Sequence, residues 1–211
     1  MNKNIAYTFI FLSASFLLSA CGQTAPVKPT PTPAPKVVEM PIADRPVITL
    51  TPRNDGHMLY LKITKIPASI SSMEYEVIYT AIDNSSEIEK GLGDTVKDVT
   101  STLERSLLLG TESCTSGCKY KYDEGVTGGT ITLNFINKDG QSSTYESPFV
   151  IKSSAELKKD GKLTLTVDNF SVTPKTKITG NDFFTLYRNY RGGFTVSSNG
   201  TNSIVGDYPQ P

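Results

Sequence analysis

Two cysteines four positions apart are the best-defined candidates for chemistry in this chain. Cys114 and Cys118 enclose a Thr-Ser-Gly segment. In an exported protein, two thiols at this spacing favour a disulfide, which requires the segment to turn so that the two Cα atoms come within about 7 Å. We predict this disulfide, either as a staple on a hairpin or as the base of a rigid recognition loop. A metal site is disfavoured because the single histidine, His57, leaves a tetrahedral ligand set incomplete.

Nucleophilic catalysis has little support, and we predict no catalytic residue. His57 follows a turn signal, and no Gly-x-Ser-x-Gly elbow occurs in the chain to supply it with a nucleophile. Ser116 and Lys119 have the Ser-x-x-Lys spacing of penicillin-interacting acyl enzymes, whose chemistry needs the serine on the first turn of a helix. Here the pair lies inside the predicted disulfide loop and before strand-like Tyr120 and Tyr122.

Acidic residues give the alternative function, an extracytoplasmic carboxylate-based hydrolase. The candidates are Glu74 and Glu76, expected on one strand face, and Asp94 and Asp98, expected in a loop with Glu87 and Glu89 nearby. No Asp-x-Asp-x-Asp-Gly calcium loop is present in the sequence, so solvated carboxylates are the default interpretation. The segment 125–129 is rich in glycine but precedes a strand, which excludes a phosphate-binding turn before a helix. No cofactor or metal is predicted.

One segment near the C-terminus combines aromatic and cationic side chains. Its candidate contact residues are Phe183, Phe184, Tyr187, Arg188, Tyr190 and Arg191, and Phe194 follows. Aromatic residues with arginine are enriched where proteins bind partners. If residues 183–190 form a strand, Phe183 and Tyr187 share one face, and Phe184 and Tyr190 share the other. One face would then be core, and only the other would meet a surface protein or a glycan.

Composition excludes several classes of protein. The 211 residues carry 21 Lys and Arg against 21 Asp and Glu, so the chain is formally neutral and is not a globally basic nucleic-acid binder. A hydrophobic content of 37% is too high for a wholly disordered chain and too low for a polytopic membrane protein. The length allows one ordinary domain, alone or with a small satellite.

From Pro46 onward the apolar residues recur with period two, which predicts an all-β fold. The segments with this pattern are 47–50, 59–63, 73–81, 103–109, 131–135, 145–151, 163–167 and 194–198. Turn signals separate them at 54–56, 137–140 and 159–161. Segments 101–109 and 182–191 also allow a short helix. Many short strands with polar outer faces indicate a β-sandwich or barrel.

The size of this region and its first three strands resemble an immunoglobulin or fibronectin type III domain. The resemblance implies a β-sandwich, here assigned to residues 46–154. Two marks of the immunoglobulin pattern are missing from the sequence, namely a core tryptophan and a cysteine pair between the sheets. Residues 155–211 are few for a second core, so we expect a β-rich C-terminal extension that packs on the sandwich or extends its sheets.

The first residues combine one basic residue, Lys3, with an uncharged apolar stretch from Ile5 to Leu18, shorter than a membrane-spanning helix needs. Leu18-Ser19-Ala20-Cys21 follows, and this segment resembles the signal peptide and lipobox of bacterial lipoproteins. The resemblance implies removal of residues 1–20 and lipidation of Cys21, which would anchor the protein to a membrane outside the cytoplasm.

Six prolines between Gly22 and Arg45 predict an extended tether, so that residues 21–45 join the lipid to the domain. We therefore expect an envelope lipoprotein that displays a binding or adhesion module for a surface protein, a glycan or another envelope component.

Overall fold

Strands make up most of residues 36–211, the part of the chain that the computed structural model describes. They are β1 (Lys36–Val37), β2 (Val47–Pro52), β3 (Met58–Thr64), β4 (Ile70–Asp83), β5 (Ser86–Lys97), β6 (Thr102–Leu108), β7 (Gly110–Cys114), β8 (Cys118–Tyr122), β9 (Gly128–Asn137), β10 (Gln141–Ser153), β11 (Leu163–Leu165), β12 (Phe170–Val172), β13 (Phe183–Arg188), β14 (Phe194–Ser198) and β15 (Gly206–Tyr208). The helical segments are α1 (Ser154–Asp160) and two 3-10 turns, Ile42–Asp44 and Thr166–Asp168. The predicted all-β class is confirmed.

Two sheets form the body of the domain. A three-stranded sheet has the order β2-β3-β6, and a larger sheet has the order β15-β14-β13-β10-β9-β4-β5, with β1 paired to β10. The β1–β10 pairing is parallel and every other pairing is antiparallel. The chain changes sheet between β3 and β4 and again between β5 and β6. The hairpin β7–β8 lies in the next crossover, before β9.

The inner faces of the two sheets share one hydrophobic core, as in a β-sandwich. The small sheet contributes Ile48, Leu50, Leu59, Leu61, Ile63, Leu103 and Leu107, and the large sheet contributes Met73, Val77, Tyr79, Ile131, Leu133, Phe135, Tyr145 and Phe149. On each strand these residues alternate with more exposed ones. Because successive side chains of a strand point to opposite faces, the period-two pattern places one complete apolar set in this core.

A second core covers the other face of the large sheet at its C-terminal half. It contains Leu157 of α1, Leu163 and Leu165 of β11, Val172 of β12, Phe184 and Leu186 of β13, and Val196 of β14. Strand β13 is therefore covered on both faces, and four consecutive residues, 184–187, are buried. Burial on both faces explains why apolar residues occupy three of these four positions and do not alternate with polar ones.

The structure corrects three local expectations. Residues 86–97, expected to contain a loop, form the twelve-residue strand β5. Asn84 and Ser85 both have positive φ, which is the backbone of a tight two-residue hairpin that sets β5 beside β4. Segments 101–109 and 182–191 contain strands, not helices. Helix α1 was missed, although Ser153 and Glu156 form a capping box at its start.

Residues 36–45, the last part of the predicted tether, lie against the domain. Val38 donates its N–H to Ser142 O (2.8 Å), and Met40 is buried in the main core. Arg45 donates to Met40 O (2.9 Å) and to Tyr190 O (3.0 Å). The predicted signal peptide, Cys21 and the rest of the tether lie outside the described residues.

Candidate binding surface

The disulfide closes the tip of the β7–β8 hairpin. Cys114 and Cys118 are the last pair of its ladder and are bonded to each other, as their spacing predicts. Every hairpin residue from Thr111 to Tyr122 is exposed, so the hairpin contributes almost nothing to the core. A segment that packs so little and is still covalently closed is a candidate for contact with a partner.

The only grouping of three potential metal ligands among residues 36–211 lies at this tip. It consists of Glu112, Cys114 and Cys118, with ligand atoms within 4.8 Å of one another. Both sulfurs are already joined to each other, so neither is the thiolate that a soft metal requires. The tip is therefore a covalent closure in this structure and not a metal site.

Four side chains meet at the base of the hairpin, and we call them the tyrosine patch: Arg53, His57, Tyr120 and Tyr122. The His57 ring stacks on Tyr122 with a centroid distance of 4.4 Å and an interplanar angle of 5°. The Arg53 guanidinium lies 5.5 Å from the centroid of the Tyr122 ring, and its Nη2 donates to the Tyr122 hydroxyl (3.2 Å). Tyr120 lies beside Tyr122, with 6.2 Å between ring centroids. Tyr120 is 49% exposed and Tyr122 is 37% exposed.

Asp55 fixes the arginine of the patch. Its Oδ1 accepts hydrogen bonds from Arg53 Nε (2.8 Å) and from the N–H of His57 (3.0 Å). The hydrogen bond from Arg53 holds the pKa of Asp55 below its ordinary value, and the same contact, with that to Tyr122, raises the pKa of Arg53. The guanidinium is therefore charged at any physiological pH and is held in one orientation by Asp55 and Tyr122.

A buried carboxylate anchors the other side of the hairpin base. Asp123 accepts a hydrogen bond from the Tyr79 hydroxyl (2.8 Å) and one from Lys90 Nζ (2.5 Å), and its side chain is 7% exposed. Burial acts to raise the pKa of Asp123, but the hydrogen bonds from Lys90 and Tyr79 together outweigh it, so the pKa lies below the ordinary value. Burial and the hydrogen bond to Asp123 raise the pKa of Tyr79. The hairpin thus rises from a fixed base on β4 and β5.

The predicted aromatic segment mostly serves the interior. Phe184 and Tyr187 are fully buried, in the second and the first core respectively, and are not available for contact. Arg188 makes a bidentate ion pair with Asp168. Tyr190 packs on the main core beside Tyr145. Both faces of β13 are covered, so the expectation that one of its two faces is free does not describe this strand.

The two remaining members of that segment also make internal contacts. Phe183 is half-buried, and its ring lies directly against Gly56, leaving no room for a side chain at that position. Arg191 Nε donates to Arg45 O (2.8 Å), so it holds the N-terminal segment to the domain.

Three of the acidic candidates border one shallow depression, but their side chains do not converge on one face of the sheet. Glu74 and Glu76 are exposed on the outer face of β4 and line this depression with Thr132 and Asn134, and Asp94 borders it from β5. Asp94 is paired with Tyr75, which places it on the opposite face of the sheet. Exposed carboxylates lack the burial that tunes a catalytic acid, and nothing in this arrangement favours a hydrolase.

His57 and the Ser116–Lys119 pair take no catalytic arrangement. His57 is stacked on Tyr122, while Ser116 lies at the exposed hairpin tip and Lys119 on β8, away from any helix start. Arg53, Tyr120 and Tyr122 were not among the site residues predicted from the sequence. The alternation Lys119-Tyr120-Lys121-Tyr122 next to a disulfide was the available signal, since it places both tyrosines on one face of an exposed strand.

Comparison with protein-family models, curated proteins and solved structures finds no match to this chain. Within residues 36–211, no helix has the length and apolar character needed to cross a membrane.

Proposed function

We propose that this chain is a lipid-anchored bacterial envelope protein that displays a β-sandwich binding module, and that the tyrosine patch contacts its partner. The partner we favour is another protein at the cell surface or in the envelope. The observation that carries the proposal is the exposure of Tyr120 and Tyr122 on a hairpin that is fixed at both ends.

The composition of the patch fits protein recognition. Tyrosine and arginine are enriched among the residues that contribute most to binding energy, whereas lysine and glutamate are depleted at interface centres. A disulfide at the tip and the Asp123 anchor at the base restrict the hairpin before binding. Less conformational entropy is then lost when a partner binds.

The strand order supports the finer assignment to an immunoglobulin- or fibronectin-like sandwich. The groups β2-β3-β6 and β5-β4-β9-β10 follow the partition of such domains, in which strands A, B and E face strands C, F and G. In that lettering the β7–β8 hairpin is an insertion between strands E and F. Insertions of this kind are where such scaffolds carry binding residues, since loops vary without disturbing the core.

The membrane anchor rests on the N-terminal sequence. A lipid on Cys21 followed by a proline-rich spacer would hold the domain away from the bilayer. Metabolic labelling with an alkyne fatty acid tests the anchor: the wild-type chain takes up label and fractionates with membranes, and Cys21→Ser does neither. Labelling that survives Cys21→Ser would contradict lipidation at this position.

Binding is tested by cross-linking the tagged full chain on intact cells, followed by capture and mass spectrometry. We expect one recurrent protein partner that is lost in the Tyr120→Ser/Tyr122→Ser variant. Tyr60→Ser is the matched control, because Tyr60 is 38% exposed on the outer face of the other sheet. A partner that is retained in the double variant, or lost equally in the control, would contradict a role for the patch. If the wild-type chain captures a glycan and no protein, and the double variant does not capture it, the ligand is a carbohydrate.

A further inference from the structure

Strand β5 forms an open edge of the large sheet. It pairs along its whole length with β4 and, among the described residues, with no other strand. Its odd-numbered residues, Glu87, Glu89, Gly91, Gly93, Thr95 and Lys97, are all exposed. A twelve-residue edge whose outward backbone groups bind no other strand is a template for a further strand.

The hydrogen-bond pattern between β4 and β5 shows which backbone N–H and C=O groups of β5 point away from β4. Ile82 donates its N–H to Glu124 O (2.8 Å), away from β5, so its cross-strand pair with Glu87 is of the type that is not hydrogen-bonded. Alternation along the ladder then directs the N–H and C=O groups of the odd-numbered residues to the open edge. The N–H of Thr95 agrees, since it donates to the Asp94 carboxylate (2.8 Å) and not to β4.

The sequence of β5 is complementary to itself when reversed about Leu92. The pairs so formed are Gly91 with Gly93, Lys90 with Asp94, Glu89 with Thr95, Ile88 with Val96, and Glu87 with Lys97. One opposite-charge pair on the exposed face, Glu87 with Lys97, one apolar pair and one pair of glycines therefore face each other in a single antiparallel register. Lys90, which already binds Asp123, lies opposite Asp94 in the same register. This register also joins odd-numbered residues to odd-numbered ones, which are the residues whose backbone groups face outward.

Neighbouring registers lack this match. Moving the axis to Gly91 sets Lys90 against Leu92 and Asp94 against Ile88. Moving it to Gly93 sets Asp94 against Leu92 and Lys90 against Val96. Each shift opposes a charged side chain to an apolar one, which costs cross-strand stabilisation.

We infer that a second copy of this chain binds along β5, with the two-fold axis at Leu92, to give one continuous sheet through both protomers. Ile88, Leu92 and Val96 are half-buried against the main core, and their exposed parts would be covered by the same residues of the second copy. The absence of side chains at Gly91 and Gly93 lets the backbones approach at the centre. The contact is isologous, so it closes as a dimer and does not propagate.

Cysteine cross-linking of the full chain on cells tests the axis. Leu92→Cys places two thiols directly opposite each other, at the short Cβ distance of a pair that is not hydrogen-bonded. We expect a species of twice the monomer mass on a non-reducing gel, which disappears on reduction. Glu89→Cys is the matched control on the same edge, because its two copies would lie about 20 Å apart. Cross-linking of Leu92→Cys no faster than Glu89→Cys would overturn the proposal.

A charge exchange tests the register without touching the core. Lys97→Glu or Glu87→Lys alone opposes like charges at two symmetric positions and should weaken dimerisation about tenfold, measured by sedimentation of the full chain in detergent. The double variant Glu87→Lys/Lys97→Glu restores opposite charges and should return the wild-type affinity. A monomeric wild-type chain at every concentration, or a double variant no tighter than the single ones, would overturn the proposal.

Discussion

The hydroxyl of Tyr187 accepts a hydrogen bond from the backbone N–H of Leu50 (3.2 Å) and lies 3.0 Å from Ser197 Oγ. Leu50 is on β2, the edge strand of the small sheet, and its carbonyl accepts a hydrogen bond from Thr185. Side chains of the large sheet thus make hydrogen bonds to the N–H and C=O groups of Leu50, which point away from β3. The contact closes one side of the sandwich and protects an edge that would otherwise be free to pair.

Tyr187→Phe should lower the free energy of unfolding by about 1–3 kcal/mol, because it leaves the buried N–H of Leu50 without an acceptor. Urea denaturation followed by circular dichroism measures the change. Tyr60→Phe removes an exposed hydroxyl and should change stability by less than about 0.5 kcal/mol. Equal effects of the two substitutions would show that the Tyr187 hydroxyl does not support β2.

Acid destabilisation should depend in part on Asp123. Its pKa lies below the ordinary value of 3.8, so its contribution to stability is present above that pH and is lost as the pH falls through the lowered pKa. In Asp123→Asn the fall in stability below about pH 4 should be shallower than in the wild type. Asp160→Asn is the control, since that exposed carboxylate also has a lowered pKa, caused by Lys152, but lies in a screened position. If the stability of Asp123→Asn falls with pH as steeply as that of the wild type, Asp123 does not anchor the hairpin base through its charge.

Reduction of the Cys114–Cys118 disulfide should loosen the hairpin far more than the domain. A loop this short contributes about 2 kcal/mol at most by chain entropy, and the hairpin residues are exposed. We expect trypsin to cut at Lys119 or Lys121 much faster in Cys114→Ser/Cys118→Ser, while the rest of the domain resists. Equal cleavage rates with and without the disulfide would show that the Asp123 anchor alone holds the hairpin.

Arg45→Ala should release the N-terminal segment from the domain. Arg45 bonds two carbonyls, Met40 O and Tyr190 O, and its guanidinium lies 5.1 Å from the centroid of the Tyr190 ring. We expect a loss of about 1–3 kcal/mol in unfolding free energy and faster proteolysis around Lys36. Arg105→Ala is the control, because Arg105 makes only an exposed contact with the adjacent Glu104 carbonyl. Similar proteolysis in both variants would show that Arg45 does not hold the N-terminal segment to the domain.

The sequence predicted the buried face correctly for strands that have one face in solvent. It did not do so for strands that are covered on both faces. The segments 59–63 and 131–135 alternate cleanly because a single core covers them. Strand β13 is covered by two cores, and its mostly apolar sequence gave no indication of which residues would remain exposed. Strand β5 contains two glycines and three acidic residues among its twelve, so its strand propensity is poor, and pairing with β4 stabilises it.

The sequence by itself determined the all-β class and brought Cys114 and Cys118 close enough to bond, because period-two alternation and a four-residue spacing are local properties of the chain. Only the tertiary structure decided that Phe184 and Tyr187 are interior, and that Arg53 and His57 join Tyr120 and Tyr122 on the surface. Arg53 and His57 lie more than sixty positions before Tyr120 and Tyr122 along the chain. Which face of a strand is covered, and which distant side chains meet, depends on the order of strands in a sheet, and local periodicity does not encode that order.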